Sequence, residues 1–310
     1  MSVNAPARAT EAIVVREGAL AQIRLYASLT KPRIVMLVVL TALLGYFIGA
    51  RGDAAIEPLH LALALFGTAL VAGGSNALNM CFEREQDGLM ERTRHRALPA
   101  GRLRPDRALA FSIVCGSAGV LTLALAINTL TALLGAVAIA IYAFIYTPMK
   151  RVSHISLLIG AVPGALPPVM GWTAARGTLG AEAATLFAIL FLWQIPHFLA
   201  IAWIYRDDYA RGGFPMLPVV EPRGTRTARD TVISTIALIA ASIAPVALGF
   251  AGPAYLAGAV ALGAAFLVAA IAFAVKRELR SARLLFLSSI LYLPALLALL
   301  ALSAAVVKAA

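Results

Sequence analysis

Nine apolar runs, each near or above the roughly 20 residues needed to cross a bilayer, constrain this chain more than any other feature. They begin at about Ile34, Leu59, Ala108, Leu130, Ser153, Ala183, Thr231, Ala254 and Leu284. In hydrocarbon a segment of that length must satisfy its own backbone polar groups, so each run is expected to be a helix. Composition agrees: 61% of the 310 residues are hydrophobic and 13% are charged, against about a quarter charged in a soluble domain. The predicted class is an all-α polytopic membrane protein.

Basic residues orient the spans. Of the 26 Lys and Arg, 23 fall in the N-terminal segment and in the loops after spans 2, 4, 6 and 8; only Arg51, Arg176 and Lys308 lie on the other side. The positive-inside rule then places the N-terminus and these loops in the cytoplasm. The net charge of +11 is a topology signal and gives no support to a nucleic-acid partner. Residues 1–33 read as a cytoplasmic N-terminal segment and 34–310 as the nine-helix domain. The first 33 residues have no early apolar core, so no cleavable signal peptide is expected. Cys81 and Cys115 are too few and too badly spaced for a metal site or a disulfide framework.

The end of span 2 carries the densest chemistry, Asn79-Met-Cys-Phe-Glu83-Arg-Glu85-Gln-Asp87-Gly-Leu-Met-Glu91-Arg92-Thr93-Arg94-His95-Arg96. If the helix continues through it, Asn76, Asn79, Glu83 and Asp87 share one face of a 3.6-residue helix. An amide and two carboxylates then line one wall, and Arg92, Arg94, Arg96, Arg102, Arg104 and Arg107 follow at once. Oxygen ligands for magnesium beside donors for an anion suit a metal-bridged phosphate. The plainer reading is a solvated charged loop.

Span 4 exits through Tyr146-Thr-Pro-Met-Lys150-Arg151, whose cations are either membrane anchors or phosphate contacts. Span 5 contains Pro163, Pro167 and Pro168, which predicts a bend whose freed backbone groups are met by neighbours or a cavity. Span 6 holds Gln194 and His197 above Tyr205-Arg206-Asp207-Asp208-Tyr209. Polar side chains at that depth face an interior. His197 is open to three roles: a hydrogen bond to a neighbouring helix, an iron ligand, or a proton-handling group. Asp207 and Asp208 are adjacent, so only one can point with the first acidic face.

Together these segments resemble the UbiA superfamily of intramembrane prenyltransferases, from Leu29 onward. The carriers are Asn79-x-x-x-Glu83-x-x-x-Asp87, Met90-Glu91-Arg92-Thr93, Tyr146-Thr-Pro-Met-Lys150-Arg151, Trp193-Gln-Ile-Pro-His197-Phe and Asp207-Asp-Tyr-Ala-Arg-Gly-Gly-Phe-Pro215. The Met-x-Arg-Thr, Pro-His-Phe and Asp-Tyr-Ala-Arg segments point to the branch that farnesylates haem. The family's middle carboxylate is commonly Asp, whereas Glu83 stands here, which leaves Glu83 and Glu85 both open as its counterpart.

The resemblance implies nine helices around a central cavity. It implies magnesium on Asn79, Glu83, Asp87 and Asp208, with Asp207 as the alternative to Asp208, and farnesyl diphosphate bound there with help from Arg92, Thr93, Arg96, Lys150 and Arg151. Gln194 and His197 would belong to the haem B end. The lipid bilayer surrounds the bundle, and a haem A synthase or oxidase-assembly protein would receive the product. Two other functions remain open on the residues: transfer to an aromatic acid in quinone biosynthesis, and solute transport. Against transport, the acids cluster at one membrane face and no inverted repeat is evident.

Overall fold

A computed structural model describes residues 18–51 and 56–309, and within them all regular structure is helical. A short helix α1 (Ala19–Leu29) precedes the first span, α2 (Pro32–Gly49). Then follow α3 (Pro58–Phe82), the short α4 (Arg84–Leu89), α5 (Pro105–Ala126) and α6 (Thr129–Ile139). The fourth span continues beyond α6 as a π-wound segment, Ala140–Tyr146, and a final turn, α7 (Thr147–Met149). After it come α8 (Ser156–Arg176), α9 (Ala181–Ile204), the short α10 (Arg206–Arg211) and α11 (Leu217–Val220), then α12 (Thr225–Ala247), α13 (Pro253–Lys276) and α14 (Leu279–Ala309). Among the described residues, nine of these segments are long and apolar enough to cross a membrane.

The helices begin close to the apolar runs, with one systematic difference. α12 starts at Thr225 and α14 at Leu279, ahead of the runs at Thr231 and Leu284, because their first turns carry Arg226, Arg229, Arg280 and Arg283. Hydropathy marks the part of a helix suited to lipid, while the backbone ladder extends past it. Four of the nine spans open on a proline, Pro32, Pro58, Pro105 and Pro253, where the missing N–H is no loss.

α8 is the centrepiece. It packs on α2, α6 and α9, and it stays helical through Pro163, Pro167 and Pro168. Small residues allow close approach where apolar attraction between helices is weak. A Cβ at Gly171 would run into the carbonyl of Ala42, and one at Gly45 into that of Pro168, so α2 and α8 touch backbone to backbone. α3 lies on α5 in the same way, through Gly74 and Gly116. The C-terminal helices α12 and α14 pack on α9, and α13 packs on both of them, burying Tyr255, Phe266, Phe273 and Tyr292.

At the end opposite the acidic stretches, Arg51 donates to the Phe250 carbonyl at 3.0 Å and Arg176 donates to the Arg51 carbonyl. Cys81 contacts the Ser112 hydroxyl and Cys115 donates to the Leu70 carbonyl; both are free thiols between helices.

Candidate active site

α3 does not run straight through the first acidic stretch. It ends at Phe82, Glu83 forms the junction, and α4 begins at Arg84. The four-residue spacing survives, because Glu83 N–H bonds the Asn79 carbonyl at 2.9 Å and Asp87 N–H bonds the Glu83 carbonyl at 2.8 Å. Asn76, Asn79, Glu83 and Asp87 are all buried on one side. Glu83 is 2% exposed, whereas the side chain of Glu85 is 72% exposed and paired with Arg84. The structure therefore brings Glu83 into the wall and leaves Glu85 outside.

Each acceptor in the wall faces a cation from a different part of the chain. Lys31 donates to Asn79 Oδ1 at 3.1 Å, Lys150 to both Glu83 oxygens at 3.1 and 2.9 Å, and Arg96 to Asp87 Oδ2 at 2.7 Å. Buried carboxylates demand such partners, since an unpaired charge costs several kcal/mol. Burial alone would lower the Lys150 ammonium, but the Glu83 carboxylate more than reverses this and holds it above its ordinary value. Lys31 moves the other way, down to about 8, through burial first and then the nearby Arg96 and Lys150 charges; Glu83 and Asp87 only partly offset them.

Lys31 owes its position to a sharp corner. It adopts a left-handed conformation (φ 54°) between α1 and α2, which costs a non-glycine residue about 1–3 kcal/mol. Asn76 holds the corner by donating to the Thr30 carbonyl at 3.0 Å. Two neighbouring asparagines of α3 thus fix the corner and its ammonium.

Lys150 is delivered by the π-wound end of the fourth span. Thr147 donates to the Tyr142 carbonyl at 2.7 Å and receives a bond from Asn79 Nδ2 at 3.1 Å, which ties the π segment to the wall. A single π-turn shifts the following side chains around the axis and is frequent at functional sites. Lys150 Nζ also sits 4.3 Å from the centre of the Phe214 ring. Arg151 is exposed and donates to the Phe82 carbonyl.

The second acidic stretch docks on the loop after α4. Asp208 accepts from the N–H groups of Glu91 at 2.9 Å and Arg92 at 3.2 Å, and from Arg211 at 2.5 Å. Burial would raise this carboxyl, but the three donors outweigh it and hold it below its ordinary value. Asp207 points out, 86% exposed, with Arg206 3.7 Å away. Arg92 lies over the rings of Tyr205 and Tyr209, at 5.2 and 5.8 Å. The Thr93 hydroxyl is buried and donates to the Asp87 carbonyl at 2.8 Å, bracing the loop.

Gln194 and His197 diverge. Gln194 Nε2 donates to the carbonyls of Ala161 on α8 and Leu190 on α9, both at 3.1 Å, and its oxygen fills the space a Cβ at Gly164 would take. His197 turns instead to α14, where Nδ1 meets the Ser289 hydroxyl at 2.7 Å and the ring stacks between Trp193 and Phe286. That bond leaves Nε2 as the nitrogen open to a ligand.

The UbiA prenyltransferase family matches residues 38–300 of this sequence. The chain belongs to that family. It is 48% identical over 276 residues to a protein from Solibacter usitatus named protoheme IX farnesyltransferase, covering 87% of this chain and 94% of the relative. A protein of the same name from Sorangium cellulosum is 45% identical, over 86% of this chain and all of the relative. Among solved structures, a digeranylgeranylglyceryl phosphate synthase superposes with a TM-score of 0.78 over 92% of this chain and 99% of that one, at 17% identity. A UbiA homologue from Archaeoglobus fulgidus bound to GPP and Mg2+ gives 0.63 over 89% and 99%, at 16% identity. At such identities the likeness is one of fold.

The UbiA wall fits a hard cation by its chemistry. All its donors are oxygens, and Asp87 Oδ1 is buried with no hydrogen-bond partner among the described residues. Among the described residues no three His, Cys, Asp or Glu side chains converge as a metal cluster. Two carboxylates and an amide still suit magnesium, which keeps water and substrate phosphate among its ligands. Asp208 has its oxygens on the 91–92 backbone and Arg211, and Asp207 faces outward.

Lys31 stands outside the helical spacing that marks the rest of the wall. The available signal was Thr30-Lys31-Pro32, a basic residue trapped between a helix end and a helix-starting proline.

Proposed function

We propose that this chain transfers the farnesyl group of farnesyl diphosphate to a vinyl group of haem B, with addition of water, giving haem O and diphosphate. The observation that carries this reading is identity of 48% over 94% of the length of a relative of that name. The wall's geometry supports it: buried oxygen ligands, each beside a cation, suit a diphosphate and its metal.

In the reaction the bond between C1 of the farnesyl group and the diphosphate oxygen breaks, and its electron pair leaves on the diphosphate. The terminal vinyl carbon bonds to C1. Water then adds its oxygen to the inner vinyl carbon and loses a proton. Asn79, Glu83 and Asp87 would hold magnesium, whose charge would stabilise the departing diphosphate. Lys31, Lys150 and Arg96 are the cations placed to take phosphate oxygens, with Arg92 at the rim. The apolar helices around the wall keep water from the allylic cation until the vinyl group has reacted.

The split of basic residues supports an orientation with the acidic stretches on the cytoplasmic side, as expected for an enzyme of the cell inner membrane. The product is lipophilic, so its consumer, a haem A synthase or an oxidase-assembly protein, meets it within the bilayer. Orientation is tested with single cysteines at Arg104 or Arg223 in a background lacking Cys81 and Cys115. Labelling of either by an impermeant reagent from outside intact cells would reverse it.

The function is tested by offering purified protein magnesium, farnesyl diphosphate and either haem B or 4-hydroxybenzoate, and measuring product mass. A haem heavier by one farnesyl group and one hydroxyl is expected. Prenylated hydroxybenzoate with unchanged haem would overturn the reading in favour of a quinone pathway.

A further inference from the structure

C1 of the farnesyl group is bonded directly to the diphosphate. The acceptor's vinyl carbon must therefore come within about 3–3.5 Å of an atom that sits beside the wall. An acceptor site next to the wall is a chemical necessity of the proposed reaction, and one side of the wall has to admit it.

The flank toward α1 is open. Two adjoining clefts, of about 270 and 280 Å3, lie between α1 and the loop 95–102, and they share Ser28 and Arg102. The inner one reaches Lys31 and Arg96, the cations that hold Asn79 and Asp87. The outer one is lined by Ala21, Arg24 and Leu25. Ala21, Leu25 and Ser28 recur at helical spacing, so one face of α1 forms this side of the groove. Among the described residues, no acidic side chain lines either cleft.

The cations differ along the groove. At the inner end Lys31 and Arg96 are committed to the wall. At the outer end Arg24 has neither an ion pair nor a hydrogen bond among the described residues, and Arg102 makes one bond, to the His95 carbonyl at 2.7 Å. Both side chains are exposed. On the other flank, Lys150 is paired with Glu83 and Arg211 with Asp208. The groove thus offers two guanidinium groups with no acidic partner among the described residues, each able to receive a carboxylate with two parallel bonds.

Haem B is apolar over most of its ring and carries two propionates on one edge. Those charges cannot enter hydrocarbon unpaired. The depth is right for them: α1 exposes Leu20 and Ile23, at 73% and 63%, next to Arg24, the pattern of a helix lying in the membrane interface with its charges at headgroup level. Gln194 and His197 are turned to neighbouring helices and hydrogen-bonded there.

We propose that this groove holds the carboxylate edge of the acceptor, with Arg24 and Arg102 receiving the two propionates, so that the vinyl edge is directed to the wall. The inference rests on the farnesyl-transfer reading of that wall. It makes these arginines specificity-determining residues for a dicarboxylate acceptor.

The test uses full-length protein in neutral-lipid nanodiscs with magnesium and farnesyl diphosphate, and compares haem B with its dimethyl ester. The ester keeps the iron, ring and vinyl groups and lacks both carboxylates. Wild type should show a KM at least tenfold higher for the ester. Arg24→Gln/Arg102→Gln should raise the KM for haem B by a similar factor, erase the discrimination, and leave the KM for farnesyl diphosphate within twofold. Each single variant should fall between, and Arg24→Lys/Arg102→Lys should recover part of the loss, which a folding defect would not. Undiminished discrimination in the double variant would overturn the proposal. So would a rise confined to the KM for farnesyl diphosphate, which would assign the groove to the diphosphate, or an effect seen only when anionic lipid is added, which would assign it to headgroups. No haem product from wild type would instead defeat the underlying reading of the reaction.

Discussion

The carboxylate of Asp208 accepts a hydrogen bond from the backbone N–H of Glu91, 117 residues earlier in the chain, at 2.9 Å. With Arg92 N–H on its other oxygen and Arg211 alongside, it fastens the two acidic stretches to each other. Asp208 thereby sets the loop that carries Arg92, Thr93 and Arg96.

Asp208→Asn should lower stability by about 2 kcal/mol, the usual worth of hydrogen bonds to a charged group, and reduce turnover at least tenfold. If Asp208 acts by holding the loop, the magnesium concentration for half-maximal rate stays near wild type; a large rise would make it a metal ligand. The pH response follows from its depressed pKa. Its stabilising contribution is complete above the ordinary value of 3.8 and is lost as pH falls through the lower folded one. The variant should lack that part of the acid-unfolding limb in a thermal melt.

Asp87→Asn is expected to cost roughly a hundredfold or more in rate, as loss of a group that stabilises developing charge does. Glu83→Gln should do the same, and the double variant should cost little beyond either single one, because the ligands act as a unit. Near-normal turnover by folded Asp87→Asn with unchanged magnesium dependence would show that the wall has another role.

Lys150→Met leaves Glu83 buried without its partner, and should destabilise the protein by about 3–5 kcal/mol. Adding Glu83→Gln should restore most of the stability and none of the activity. Melting in detergent reads the first effect and farnesyl diphosphate turnover the second. A Lys150→Met protein as stable as wild type would mean that solvent reaches Glu83 freely.

His197→Ala should leave the KM for haem within about twofold of wild type, because the ring is turned to Ser289 on α14 while the proposed acceptor groove lies along α1. Ser289→Ala should lower stability by about 1 kcal/mol, the usual worth of a hydrogen bond, and also spare the KM for haem. A tenfold rise in the KM for haem in His197→Ala, with that for farnesyl diphosphate unchanged, would place the acceptor beside α14 and count against the groove.

Much of this was legible in the order of residues. Hydropathy located the spans, because hydrocarbon leaves a long apolar run little choice but a helix. The spacing of Asn79, Glu83 and Asp87 predicted a shared face, and that face persists across the break at Glu83 because two backbone bonds bridge it. α1 went unforeseen, since its helical face is short and mixed.

What the sequence by itself determined was local: which segments enter the membrane, which face of α3 is polar, and which end of the bundle gathers the cations. Only the tertiary structure decided between neighbours such as Glu83 and Glu85 or Asp207 and Asp208, and only it paired Lys31 with Asn79 and Lys150 with Glu83. The physical reason is that a buried charge is tolerated only where a partner arrives to meet it, and for Glu83 that partner, Lys150, comes from the end of another span. Which side chain turns inward therefore depends on the packing of helices far apart in the chain, and no local pattern records that.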